Sequence, residues 1–274
     1  MISMNGGHLS PQAKARLAHP SSDHSVPDLS DLAAVRLWRA EQHASWGENV
    51  VEGEPVHEPA EIGGVSCLVA GHGPTVVYAH GGGFCLGSPG TVIPITSRLA
   101  TRTRVVSVGY RLAPEHPFPA AIDDVVSVVE AEAARISAPV TVAGDSAGGC
   151  LAVAAARWAP ELVGGLVLLS PVLDLRGPPP SVAPLFAAYV AGKDRSAPEV
   201  SVLSASSLAD LPPTLLQATS TEALYPQAAE FAGRTSATTF QVWDGLWHGW
   251  HYHRDLPEAR DAVDRAATWV SARA

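Results

Sequence analysis

From residue 50 onward the chain alternates short apolar runs with longer stretches in which apolar residues return every three or four positions. The runs at 75–79 (TVVYA), 104–110, 139–143, 165–171, 213–220 and 238–244 predict strands. The helical spacing predicts helices near 91–102, 120–136, 147–158, 226–234 and 257–272. Strands that are apolar nearly throughout need cover on both faces, and strands alternating with helices provide it as a parallel sheet. Two earlier β-rich runs, 50–58 and 65–70, are joined by the turn sequence EIGG and predict an antiparallel pair. The expectation is an α/β chain with a mostly parallel eight-stranded sheet and helices on both faces.

Ahead of these strands, residues 1–30 are rich in Ser, His, Pro and Gly and predict a partly mobile segment. Within it Ser10 followed by Pro11 is an N-cap with proline at the first helical position, which predicts a short helix at 10–18. Leu29, Leu32, Val35 and Trp38 share one face and predict an amphipathic helix over 28–46. Such helices precede every strand and suit an accessory layer over the sheet. Only 172–212 breaks the later rhythm, with GPPP, the apolar LFAAYV and a Ser-rich tail, and it reads as an insertion between two sheet strands. The division expected is residues 1–49 as N-terminal cap helices and 50–274 as a catalytic domain carrying a cap insertion at about 172–212.

Composition narrows the function. The chain has 274 residues, 46 % hydrophobic and 16 % charged, enough for a large core. A formal charge of −9 without a basic stripe argues against a nucleic-acid partner. Cys67, Cys85 and Cys150 are odd in number, far apart and in no C-x-x-C pair, which points to neither a disulfide framework nor a zinc site. The N-terminal MISMNGGHLSPQAK lacks an apolar core of signal-peptide length, and no segment stays apolar for the roughly 18 residues of a membrane helix. A cytoplasmic protein with no membrane span is expected.

The chemistry concentrates at VAGDSAGGC, residues 142–150. Ser146 lies between Gly144 and Gly148 where a predicted strand ends and a helix begins, the G-x-S-x-G arrangement of a nucleophile elbow. Loops at the C-terminal ends of parallel strands gather at one edge, where ligands bind. A second signal, YAHGGGF at 78–84, also follows a strand. Its glycines bring bare amides close to a substrate, so Gly82 and Gly83, with Ala147 after the serine, are the candidate oxyanion donors.

A hydroxyl nucleophile needs a base, and the base an orienting acid. His248 in DGLWHGWHYH follows the last strand most closely; His251 and His253 are rivals. A zinc site built on these histidines lacks matching ligands elsewhere. With the chain order Ser, acid, His, the acid falls within 147–247: Glu222, just after PTLLQATS where a strand-end loop faces the serine edge, is the choice, Asp174 after the preceding strand the main rival, and Asp244 a weaker one.

With HGGGF at 80–84, YRLAPEHPFPAAIDD at 110–124 and GDSAGG at 144–149, the chain resembles the hormone-sensitive-lipase-like family of α/β-hydrolase esterases over roughly residues 30–255. The resemblance implies an α/β-hydrolase fold with a reduced helical cap, and a serine carboxylesterase acting on short- to medium-chain acyl esters without metal or cofactor. By that resemblance Ser146 is the nucleophile, His248 the base, and Gly82, Gly83 and Ala147 the oxyanion donors. The family usually places an aspartate in a D-P-L-R-D-like stretch; this chain reads EALYPQ, with Glu222 at the matching position. The insertion at 172–212 is shorter than the family's usual lid, which predicts a more open pocket. Phe84, Phe186, Tyr189, Trp247 and Trp250 are candidates for its lining.

Other readings share some of these residues. The order His80, Asp123, Ser146 mimics a chymotrypsin-like protease, but those enzymes are all-β. An amidase, formamidase or lactonase would use the same acyl chemistry. A ligand-binding receptor on a hydrolase fold would be expected to lack part of the triad.

Overall fold

Residue-level order in the sheet follows from the apolar runs. The computed structural model describes residues 1–18, 26–46 and 53–273. Six β-rich runs form β4 (Thr75–Ala79), β5 (Arg104–Val108), β6 (Val140–Asp145), β7 (Val163–Leu169), β8 (Thr214–Ala218) and β9 (Thr238–Val242). Val76, Val77, Tyr78 and Ala79 have no exposed surface, since helices cover both faces of the sheet they occupy. The antiparallel pair is β2 (Glu58–Ile62) and β3 (Val65–Ala70), and β3 also runs antiparallel to β5.

The structure shifts the first of these strands relative to the sequence reading. The pair begins at Glu58 and not at residue 50, because the hairpin reverses at Gly63 and Gly64, both at positive φ, and the register counts back from there. Residues 53–57 are not strand, and 47–52 lie outside the described residues. The sheet also gains a ninth member: Ile2–Ser3 forms β1, parallel to the edge of β9. The full order is β1-β9-β8-β7-β6-β4-β5-β3-β2.

Two helices flank the N-terminal part. Helix α1 (Pro11–Ala18) starts where expected, with the Ser10 hydroxyl accepting the Ala13 N–H at 3.1 Å. Its Ala13 joins a small core with Trp243, Leu246, Trp250 and Ala259. Helix α2 (Leu32–Trp46) begins later than 28, because Asp31 accepts the amides of Ala33 and Ala34 and so caps the helix there. From α2, Arg39 donates to the carbonyls of Cys85 and Ala113 at 2.7 Å and pairs with Glu115, bracing two loops that adjoin the site.

The sheet is covered by α3 (Ile93–Leu99), α4 (Ala120–Ile136), α5 (Ala147–Trp158), α7 (Tyr225–Arg234) and α8 (Pro257–Ser271). The segment 172–212 holds one eight-residue helix, α6 (Ala183–Val190), and a single 3-10 turn at Val202–Ser204. Among the described residues no helix is long and apolar enough to cross a membrane. All three cysteines are buried free thiols.

Candidate active site

Strand β6 ends at Asp145 and α5 begins at Ala147, leaving Ser146 alone at the turn between them. Its backbone sits at φ 49 and ψ −117, a strained conformation for a residue with a side chain. Backbone bonds hold it there: its N–H donates to Leu169 at 3.0 Å, and its carbonyl accepts from Val172 at 2.8 Å and Gly149 at 3.1 Å. The flanking glycines are needed for close approach. A Cβ at Gly144 would lie 2.3 Å from the Gly148 oxygen, and one at Gly148 only 2.0 Å from the Ala79 oxygen.

Three of the side chains named from the sequence meet at this turn. His248 Nε2 is 3.0 Å from Ser146 Oγ, and His248 Nδ1 is 2.6 Å from Glu222 Oε2. The Glu222 side chain is 1 % exposed and that of His248 44 %, so a sealed carboxylate lies beneath an imidazole that solvent reaches. The second oxygen of Glu222 accepts the Ser170 hydroxyl at 2.9 Å and the Thr219 N–H at 3.1 Å. Thr219 and Thr221 both donate to the Leu246 carbonyl, which stitches the Glu222 loop to the loop carrying His248.

The rival residues are engaged elsewhere. Asp174 pairs with Arg176 at 2.6 Å; burial pushes its carboxyl up, but the hydrogen bonds and charge of Arg176 hold it below the usual carboxylate range. Asp244 accepts the Ser3 hydroxyl at 2.7 Å. His251 is buried, stacks on Trp250 and lies 3.3 Å from Gln217 Oε1; burial pushes its imidazole down to about 3. His253 packs against Trp247, and burial lowers it as well.

The glycine loop after β4 lies beside the serine. Gly82 (φ 120) and Gly83 (φ 59) occupy backbone regions that side chains disfavour. The N–H groups of Gly82, Gly83 and Ala147 donate to no group among the described residues. His80 is not a catalytic partner in this geometry. It is buried, with Nδ1 2.8 Å from the Gly81 oxygen and its ring stacked on Tyr110.

The aromatic residues proposed as pocket lining mostly pack on one another. Phe84 stacks on Tyr189 at 3.8 Å between centroids, Phe186 meets Phe84 edge-on, and all three are buried. Leu185 of α6 lies against Gly83, where a Cβ would come within 2.6 Å of it. The YRLAPEHPFPA block is structural: Tyr110 donates to the His80 carbonyl at 2.7 Å, Ala113 N–H to Phe84 at 3.0 Å, and Phe118 N–H to Tyr189 at 2.8 Å.

Four residues of this neighbourhood escaped the sequence reading: Ser170, Thr219, Asp145 and Tyr252. Asp145 stands inside the quoted GDSAGG block, and that adjacency was the available signal. Among the described residues no group of three or more His, Cys, Asp or Glu is arranged to hold a metal ion.

A serine at a strand-to-helix turn of a parallel sheet, with a histidine and a buried carboxylate from later loops, defines an α/β-hydrolase. A model of the alpha/beta hydrolase fold family matches residues 76–252. An acetyl-hydrolase of Streptomyces hygroscopicus is 35 % identical over 226 residues, covering 72 % of this chain and 75 % of the relative. An esterase of Acinetobacter venetianus is 33 % identical over 225 residues, 72 % of this chain and 74 % of its own. Among solved structures, a hormone-sensitive lipase from a metagenome library superposes with a TM-score of 0.87 at 28 % identity, over 97 % of this chain and all of the other. The hormone-sensitive-lipase homologue EstE7, also from a metagenome library, gives 0.81 at 28 % identity over 91 % and 99 %. The chain belongs to the α/β-hydrolase family, among its hormone-sensitive-lipase-like esterases.

Proposed function

We propose that this α/β-hydrolase, a carboxylic ester hydrolase by family, cleaves short- to medium-chain acyl esters through an acyl-enzyme formed on Ser146. The observation that carries the reading is the continuous contact chain from Ser146 Oγ through His248 to Glu222, ending at a buried carboxylate.

In this reading His248 Nε2 takes the Ser146 proton as Oγ attacks the ester carbonyl carbon. The oxygen that becomes negative is met by the N–H groups of Gly82, Gly83 and Ala147. Each such donor is worth about 3 kcal/mol in the transition state. The intermediate collapses, the C–O bond breaks, and His248 protonates the leaving alcohol. Water then enters, gives a proton to His248 and attacks the acyl carbonyl; the bond to Ser146 Oγ breaks as His248 returns that proton to Oγ, and the carboxylic acid departs. Glu222 stays ionised and holds the imidazole in one tautomer.

No metal or cofactor has a part in these steps. The division into cap helices (1–49) and a catalytic domain (50–274) with the insertion at 172–212 belongs to the same proposal, as does a cytoplasmic location, which rests on the three unpaired cysteines. The test is hydrolysis of p-nitrophenyl esters from acetyl to dodecanoyl by the wild type and by Ser146→Ala. Activity highest on the short chains and absent in a folded Ser146→Ala supports the proposal. A wild type inert on every ester, or a variant that keeps its activity, refutes it.

A further inference from the structure

Asp145 is the last residue of β6 and immediately precedes Ser146, yet the residue is buried, with only 5 % of its surface exposed. A buried carboxylate persists only where donors replace the lost water. Three do so here. Oδ1 accepts the Tyr78 hydroxyl at 2.9 Å and the Gly81 N–H at 3.0 Å, and Oδ2 accepts the Tyr252 hydroxyl at 2.6 Å. Burial pushes the carboxyl upward, and the two phenols, the Gly81 amide and the nearby His248 pull against that.

The three donors come from separate parts of the chain. Tyr78 lies in β4, the strand that leads into the glycine loop. Gly81 directly precedes Gly82 and Gly83. Tyr252 ends the 3-10 turn Trp250–Tyr252, four residues after His248. The fit is close on the loop side, where a Cβ at Gly81 would stand 2.2 Å from Asp145 Oδ2. One carboxylate thus touches the strand and loop that present the free amides and the turn that follows the histidine. The residue that carries it is joined to Ser146 by a peptide bond.

We propose that Asp145 is a positioning residue that fixes the Gly82 and Gly83 amides and the His248 turn relative to Ser146. The inference rests on the proposed acyl-enzyme reading. It assigns Asp145 no contact with substrate. Its effect lies in the distance between oxyanion and donors, where an error of about 1 Å costs up to a hundredfold in rate. The loss should therefore fall on kcat and leave ground-state binding of the ester nearly untouched.

The experiment measures kcat and KM on p-nitrophenyl acetate, and the inhibition constant of a trifluoromethyl ketone, for the wild type, Asp145→Asn and Tyr252→Phe. Ser146→Ala is the control. The ketone adds Ser146 to form a tetrahedral oxyanion, so it reads the alignment of the amides directly. Asp145→Asn is expected to lose about ten- to a hundredfold in kcat with KM within about threefold, and the ketone to weaken in step. Tyr252→Phe, which removes one donor and keeps the carboxylate, is expected to lose about three- to tenfold in kcat. A folded Asp145→Asn with wild-type kcat, with a loss confined to KM, or with unchanged ketone affinity overturns the inference. Should Asp145→Asn fail to fold, Tyr252→Phe decides, and a kcat equal to the wild type overturns the inference. An inactive wild type, or an active Ser146→Ala, refutes the esterase mechanism itself and this inference with it.

Discussion

Ser170 donates its hydroxyl to Glu222 Oε1 at 2.9 Å, which leaves Oε2 of the same carboxylate facing His248 Nδ1 at 2.6 Å. Ser170 directly follows the last residue of β7 and sits at φ 46, a backbone region costly for any residue bearing a Cβ. The strain and the hydrogen bond therefore sit on one residue, and two substitutions separate them. Ser170→Ala removes the bond and keeps the strain, and is expected to cost about 1–3 kcal/mol. Ser170→Gly removes both and is expected to melt at a higher temperature than Ser170→Ala. Thermal unfolding of the two variants checks the order, and the reverse order contradicts the assignment of strain.

Glu222 reaches His248 from a loop four residues past the end of β8, and its length matters to that contact. Glu222→Gln keeps the length but no longer favours the imidazole tautomer with hydrogen on Nδ1; kcat is expected to fall by about 10⁴. Glu222→Asp keeps the charge and shortens the reach by one methylene, with an expected loss of about a hundredfold. Steady-state kinetics on one activated ester measures both. A Glu222→Asp variant with full activity would show that reach is not what orients the ring.

The glycines of the turn are expected to differ sharply from glycines elsewhere. Gly148→Ala drives a methyl into the Ala79 carbonyl in the centre of the sheet, at an expected cost of about 3 kcal/mol or more. Gly233, exposed in α7 with nothing within 4 Å of an added Cβ, is the contrast, and Gly233→Ala is expected to stabilise by about 0.5–1 kcal/mol. Melting curves for the pair test whether close packing, and not turn flexibility alone, selects Gly148.

Burial gives His251 an acid sensitivity with a definite sign. The folded ring stays neutral down to about pH 3, whereas the ordinary value in the unfolded chain is 6.5. Below pH 6.5 the unfolded state takes up a proton that the native state refuses, so stability is lost as pH falls from 6.5 toward 3. The melting temperature of His251→Gln is expected to drop less between pH 7 and pH 4 than that of the wild type. His57 and His253, also lowered by burial, keep part of the slope. Equal slopes in the two proteins would contradict the buried neutral ring.

The strands of the sheet interior were legible because their apolar residues have no polar alternation to confuse them, as in TVVYA and GLVLLSP. Edge strands were not. Glu58–Ile62 is EPAEI, polar on an exposed edge, and its register comes from the Gly63–Gly64 turn and not from its own side chains. Ile2–Ser3 is two exposed residues long and joins β9 through backbone pairing, which leaves no mark in a sequence. In the site, Ser146 was marked by the glycines around it, whereas a carboxylate in a loop carries no local pattern. The sequence favoured Glu222 on its place after a strand end but kept Asp174 and Asp244 as rivals, and distance separates them: Glu222 alone of the three contacts His248. Asp145, Ser170 and Tyr252 act through hydrogen bonds to residues 52 to 107 positions away, which no reading of neighbouring residues supplies.

Passage of an acyl group through Ser146 is the step on which the whole proposed mechanism turns. Its most direct test is peptide mapping by mass spectrometry of enzyme quenched in acid during turnover of p-nitrophenyl acetate, with Glu222→Gln included to slow deacylation. The expected result is one acetyl group per chain on the peptide containing Ser146, absent from Ser146→Ala. Acetylation at another residue, or steady turnover with no covalent adduct in either protein, would contradict the account.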